Sequence, residues 1–179
     1  MLHQRLVLHT LNTAAAAAPD EIQLWCAPDD SHPFLRSAAL RHGASLCVQQ
    51  GADLGARMAH AFAQTLQQLR YVIIIGTDCP MLTAGRLQAV AKALHEGHDA
   101  VLAPAEDGGY TLVGLAREAP QLFAGIAWGG SDVMADTRMR LRDGGLGWQE
   151  LETMWDVDRP DDYQRLIQSG LLDALPDAT

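Results

Sequence analysis

Cysteine is scarce in this chain, with three residues, Cys26, Cys47 and Cys79, among 179. The odd count and irregular spacing exclude a disulfide framework and the paired spacing of a zinc site. Cys26 and Cys47 fall in apolar, strand-like runs and read as core residues. Cys79 sits beside a turn with no histidine placed by sequence to activate it, and reads as small-residue packing. Lysine is scarcer still: of the 13 basic residues only Lys92 is a lysine. Against 22 acidic residues this leaves a formal net charge of −9, which weighs against nucleic acid or an anionic membrane surface as partner. No apolar run approaches the ~20 residues of a membrane-spanning helix. The opening "MLHQRLVLHTLNT" lacks the basic region and apolar block of a secretory signal, so a cytoplasmic location is expected. The seven histidines are scattered, and "HEGH" (His95 to His98) is a turn short of a zinc-protease pattern.

What remains is a well-mixed globular composition, 48% hydrophobic and 20% charged, of a length that suits a single domain over residues 1–179. Helix-like and strand-like segments alternate. Met1 to Ala18 reads as a helix ended by Pro19, "EIQLWCA" as a strand, and "SHPFLRSAALRHG" as a helix with proline in its first turn and Gly43 past its end. "SLCVQ" is a short strand. A long helix is expected from Leu54 to about Leu69, capped by Asp53 and lined by Leu54, Met58, Phe62, Leu66 and Leu69. Tyr71 to Ile75 is a continuous apolar run, as in a strand covered by helices on both sides. Thr83 starts a helix that closes at Gly97, "AVLAPA" and "YTLVGL" are strands flanking "EDGG", Ser131 caps a helix through Arg142, "WQELETMW" is extended, and Pro160 opens a last helix. This rhythm predicts an α/β domain with a mainly parallel central sheet.

In such sheets ligands bind beyond the carboxyl ends of the strands, and Asp78 stands there, just after Ile75 and Gly76. A turn would also use an aspartate, but Thr83 already supplies the helix cap, which leaves Asp78 available for chemistry. In the extended "WDVDRPDD", Asp156 and Asp158 project from one face about 7 Å apart. Two carboxylates so placed repel unless a cation compensates them, and Mg²⁺ or Mn²⁺ would do so through oxygen ligands. Helix entry at Pro160 accounts for Asp161 and Asp162 but leaves Asp156 unexplained. "APAEDGGYTLVGL" signals a tight hairpin; equally, Gly108 and Gly109 let a ligand approach the backbone, with Asp107 accepting from a hydroxyl and Tyr110 offering a ring. Arg57, in the glycine-flanked helix start "GADLGARMAHAF", could reach an anion, although close helix packing explains the small residues there. Trp128 is either a core residue or a platform for a sugar or base.

Taken together, "DLGARMAHAF", "IIIGTDCP", "APAEDGGYTLVGL", "LFAGIAW" and "WDVDRPDD" resemble, in order and over nearly the whole chain, the bacterial nucleotide-diphospho-sugar transferase-like proteins of GT-A fold described as radical-SAM- and selenodomain-associated. The resemblance implies a GT-A-like three-layer sandwich and a nucleotide-diphospho donor. It also implies a divalent metal held by Asp78, with Asp156 and Asp158 closing the site. The small-molecule acceptor would meet Asp107 as orienting or deprotonating group. It extends to the cytidylyl- and guanylyltransferases of cofactor synthesis. Against the family pattern, an N-terminal strand and its donor-phosphate loop have no counterpart here, so the chain reads as N-terminally shortened, and Lys92, inside a helix, is not placed to replace the loop's lysine. Gly129 and Gly130 stand where serine and threonine are usual, and Arg159 replaces a capping threonine. A metal-dependent glycosyltransferase is the leading expectation, with nucleotidyl transfer or a catalytically silent binding domain as alternatives.

Overall fold

The leucine-rich opening forms helix α1 (Leu2–Ala16), and its leucines serve two sides. Val7, Leu8 and Leu11 pack with Leu24, Cys26, Ala38 and Ala39, whereas Leu6 packs with Trp155, Leu166 and Leu175. A helix buried on both flanks needs no single apolar stripe, which is why its pattern is blurred in the sequence. The computed structural model describes residues 1–177, and these fall into two compact units interleaved along the chain. The first unit takes residues 1–49, 76–87 and the stretch from Trp155 onward; the second takes 50–75 and 88–154.

In the first unit, β1 (Gln23–Cys26) and β2 (Ser45–Val48) pair in parallel, Gln23 opposite Ser45. Helix α2 (Pro33–His42) links them, starting on its proline and stopping at Gly43, whose left-handed backbone (φ 64°) ends the helix as its sequence position predicts. Farther along come α6 (Pro160–Gln168) and α7 (Leu171–Ala174). Arg5 ties α1 to the end of α7: its guanidinium donates to the carbonyls of Leu172 and Leu175 at 2.8 Å and of Pro176 at 3.1 Å. Arg165 lies 4.5 Å above the Trp155 ring.

The second unit is built on a four-stranded sheet in the order β3-β5-β4-β6, comprising β3 (Val72–Ile75), β4 (Ala100–Pro104), β5 (Tyr110–Leu115) and β6 (Trp148–Glu150). β5 is antiparallel to both neighbours and β6 is parallel to β4, so three strands run one way and one against them. Helices α3 (Leu54–Thr65) and α5 (Val133–Asp143) contribute Met58, Phe62 and Leu141 to a core that includes Leu102, Val113 and Leu115. Phe62 stacks on Phe123 with centroids 5.6 Å apart. Helix α4 (Ala84–His95) begins on Thr83, whose hydroxyl accepts from the Arg86 amide at 3.3 Å.

Several expectations shift. The run ending at Ile75 is an edge strand of its sheet, half-buried at every position, while β4 is buried throughout. Apolar continuity reports that a strand can be covered, not which place it takes in the sheet. Helix α3 stops at Thr65 rather than near Leu69, and Leu54, expected on its buried stripe, is 51% exposed at the first turn. Of "WQELETMW", only Trp148–Glu150 is a strand, with Met154 making an isolated bridge to Ala105. Ser131 caps no helix: α5 starts after Asp132 without a side-chain cap, and the Met134 amide donates instead to the Gly108 carbonyl at 2.8 Å.

Candidate functional site

Two short stretches of the first unit, joined through the backbone, carry three of the expected acids. The Asp78 carbonyl accepts from the Val157 amide at 3.0 Å, which seats the loop after Ile75 directly against the segment holding Asp156 and Asp158. That segment is pinned on both flanks. Trp155 is buried before it, and after it the Asp162 carboxylate accepts from the amides of Asp158 (3.2 Å) and Arg159 (2.8 Å), covering donors that the start of α6 would otherwise leave open. The extended backbone places Asp156 and Asp158 on one face, and each offers a carboxylate oxygen within 4.8 Å of the other. Asp156 is half-buried and Asp158 exposed. Oxygens bound to one Mg²⁺ at about 2.1 Å lie at most ~4.2 Å apart, so a small side-chain rotation suffices, and an all-oxygen donor set suits a hard divalent ion. The residues present fit such an ion.

The second unit carries the other expected residues. Residues 105–109 form the tight turn that "EDGG" announces: the Gly108 amide donates to the Ala105 carbonyl at 3.2 Å and the Ala105 amide to that of Gly109 at 2.9 Å. Asp107 is exposed, and one of its oxygens accepts from the Gly109 amide at 2.9 Å, so its carboxylate is oriented by its own turn. Gly108 adopts φ 95°, and any Cβ there would run into the Ser131 carbonyl. The turn is thus locked onto the start of α5 from both sides of Gly108.

Tyr110 follows that turn with its hydroxyl buried. Burial pushes the phenol well above its usual range, and Thr137 and Arg140 offset only part of this, so the group is a neutral phenol at any physiological pH. Its ring meets Trp128 edge-on at 6.3 Å. Trp128 is half-exposed; its indole N–H is buried against Gly55, where a Cβ would collide with it. The exposed part of that indole is the surface on offer to a ligand. At the corner before α3, Asp53 accepts from the Ala56 amide at 2.8 Å and Arg57 donates to the Gly51 carbonyl at 3.3 Å. The helix start therefore already holds a carboxylate, and Arg57 braces the corner.

One residue with a place in this geometry escaped the sequence reading. His9, on α1, faces the carbonyls of Leu82 and Pro80 just beyond Asp78, and its Nε2 is buried. A histidine among leucines was the only signal.

The fold is that of the GT-A-like nucleotide-sugar and nucleotidyl transferases. A crystal structure from Desulfovibrio desulfuricans G20, provisionally described as a nucleotide-diphospho-sugar transferase, is 26% identical and superposes with a TM-score of 0.79 over 97% of this chain and 84% of that one. Rv0371c of Mycobacterium tuberculosis H37Rv, solved with manganese, is 20% identical with a TM-score of 0.64 over 91% of this chain and 86% of its own. Glucosyl-3-phosphoglycerate synthase of M. tuberculosis, solved with Mn²⁺, UDP and glucosyl-3-phosphoglycerate, is 14% identical with a TM-score of 0.59 over 99% and 78%. These last two likenesses concern the fold alone. No curated protein matches this chain. Residues 10–130 match the bacterial family described as "Uncharacterized protein conserved in bacteria (DUF2064)", and the chain belongs to that family. Among the described residues no helix is long and apolar enough to cross a membrane.

Proposed function

We propose that this protein is a metal-dependent transferase that takes a nucleotide-diphospho-sugar as donor and a small-molecule hydroxyl as acceptor. The observation that carries this reading is the backbone hydrogen bond from the Val157 amide to the Asp78 carbonyl, which sets the loop of Asp78 against the segment whose Asp156 and Asp158 carboxylates lie within 4.8 Å of each other. Asp78, Asp156 and Asp158 hold Mg²⁺ or Mn²⁺, which when bound supplies the positive charge that a departing nucleoside diphosphate requires. Asp107, fixed by its own turn, accepts the acceptor's hydroxyl hydrogen bond and takes its proton. Gly109 leaves the backbone open to the acceptor, Trp128 and the ring of Tyr110 give it an apolar flank, and Arg57, on leaving the Gly51 carbonyl, meets donor phosphate at the α3 corner. The Desulfovibrio structure, provisionally described as a nucleotide-diphospho-sugar transferase, supports this choice of donor class.

Titration of Mn²⁺ and UDP or GDP into the wild type and Asp78→Asn tests the reading. Loss of one ligating charge is expected to weaken metal-dependent nucleotide binding at least about tenfold with an unchanged melting temperature; equal binding removes Asp78 from the site. Free nucleoside diphosphate as product supports sugar transfer, pyrophosphate assigns nucleotidyl transfer instead, and a melting temperature indifferent to every nucleotide with and without metal assigns a silent domain.

A further inference from the structure

Five carbonyls line the loop from Asp78 to Leu82, and three have identifiable donors. That of Asp78 accepts from the Val157 amide at 3.0 Å, that of Cys79 from the Leu82 amide at 3.3 Å, and that of Met81 from the Arg86 guanidinium at 3.2 Å. The carbonyls of Pro80 and Leu82, both on buried residues, face the imidazole of His9. Buried backbone acceptors are paired in nearly all folded proteins. The buried end of the ring is Nε2, the one nitrogen of His9 that is enclosed and lacks a formed hydrogen bond. The enclosed nitrogen and the two carbonyls that face its ring answer each other.

We propose that His9 is a positioning residue for the acidic rim: its Nε2–H, shared between the carbonyls of Pro80 and Leu82, holds from beneath the loop that carries Asp78. The ring acts as a neutral donor, since burial lowers its pKa more than the two carbonyls raise it. With two carbonyls facing the ring and Nε2 its enclosed end, the tautomer protonated at that nitrogen is the one selected. His9 is anchored in turn by its helix, whose neighbours Leu8, Thr10 and Leu11 are all buried, so the donor cannot swing away. The consequence for metal binding rests on the reading of Asp78 as a ligand; the support of the loop does not.

His9→Gln and His9→Leu separate the roles, because a glutamine amide can place its N–H where Nε2 stands and leucine cannot. Amide exchange across residues 78–82 is expected to quicken about tenfold in the leucine variant, the scale of one or two lost hydrogen bonds to buried acceptors, and to return near wild type with glutamine. Mn²⁺ binding, followed by electron paramagnetic resonance, should weaken in parallel and recover likewise. Ring ¹⁵N shifts of the wild type should show the proton on Nε2. Unchanged exchange in His9→Leu, a glutamine variant no better than leucine, or a bare Nε2 overturns the proposal. A wild type that binds no Mn²⁺ refutes the metal reading, while exchange and ring shifts still judge His9. Should the leucine variant not fold, His9→Asn, whose amide reaches only the Nδ1 position, replaces it in the comparison.

Discussion

Gly108 and Gly129 both adopt left-handed backbone, at φ 95° and 82°, yet only Gly108 is hemmed in by the Ser131 carbonyl; Gly129 faces open space. Alanine at 129 therefore carries the conformational penalty alone, about 1 kcal/mol. Alanine at 108 adds a collision with backbone and is expected to cost about 2–5 kcal/mol, read as a lower denaturation midpoint with an unchanged slope. His9 makes a second prediction. Its pKa is lowered from 6.5, so the unfolded chain binds a proton more readily than the folded one. Its contribution is complete above the unfolded value of 6.5 and is lost as pH falls below it, towards the lowered folded pKa. Thermal midpoints measured across that window should decline more steeply for the wild type than for His9→Gln. Local placement was legible: Asp78 falls just past the end of a strand, Asp156 and Asp158 lie two apart in an extended segment, and Asp107 sits in a tight turn before two glycines. His9 was not, because its partners lie some seventy positions away and nothing in the helix around it marks the contact.

Among the elements, β6 is the shortest strand of its sheet and leans on one ion pair. Arg138 reaches from α5 to grip both oxygens of Glu150 at 2.9 and 2.7 Å, and the Trp148 indole donates to the same carboxylate at 3.0 Å. The Arg138 hydrogen bonds hold the Glu150 carboxyl below its usual range against the opposing effect of burial. The two side chains are 38% and 27% exposed, so solvent screening limits the pair, and Arg138→Ala is expected to cost about 1 kcal/mol in chemical denaturation. A depressed folded pKa means that this contribution is present above the unfolded pKa of about 4.5 and fades as pH falls through the folded value; the wild type and variant should therefore converge in acid. Element boundaries were legible wherever a stop signal exists, as at Pro33, Gly43, Thr83 and Pro160. Strand order was not. β3 is richer in isoleucine than β4, but alanines and a proline pack in the middle of the sheet while the isoleucines lie at its edge. β-branched composition measures suitability for a sheet, and position depends on partners distant in the chain.

At the scale of the whole molecule, the chain passes between its two units at 49–50, 75–76, 87–88 and 154–155, so neither unit is a continuous fragment. We expect the protein to behave as the single domain its length suggests, unfolding in one calorimetric transition whose measured and van't Hoff enthalpies agree. Two resolved transitions would refute that. Slowest amide exchange is expected in β4 and β5, each flanked by strands on both edges and buried at nearly every position. Overall class was legible from alternating segments and three acidic motifs, and the solved relatives agree with it. The interleaving was not, since it is a property of contacts and leaves no mark in composition.

Arg5 waits about 170 positions for the three carbonyls it binds, and Leu6 waits as long for Leu175. A ribosome adding roughly 5–20 residues per second needs on the order of 10–30 s to cover that distance. Throughout that interval the nascent opening helix has only half its neighbours, and the stretch from Trp155 to Asp162 does not yet exist. The corner that holds Asp156 and Asp158 is thus among the last parts to be made, and a stalled or clipped chain, however much of its sheet has formed, lacks both carboxylates.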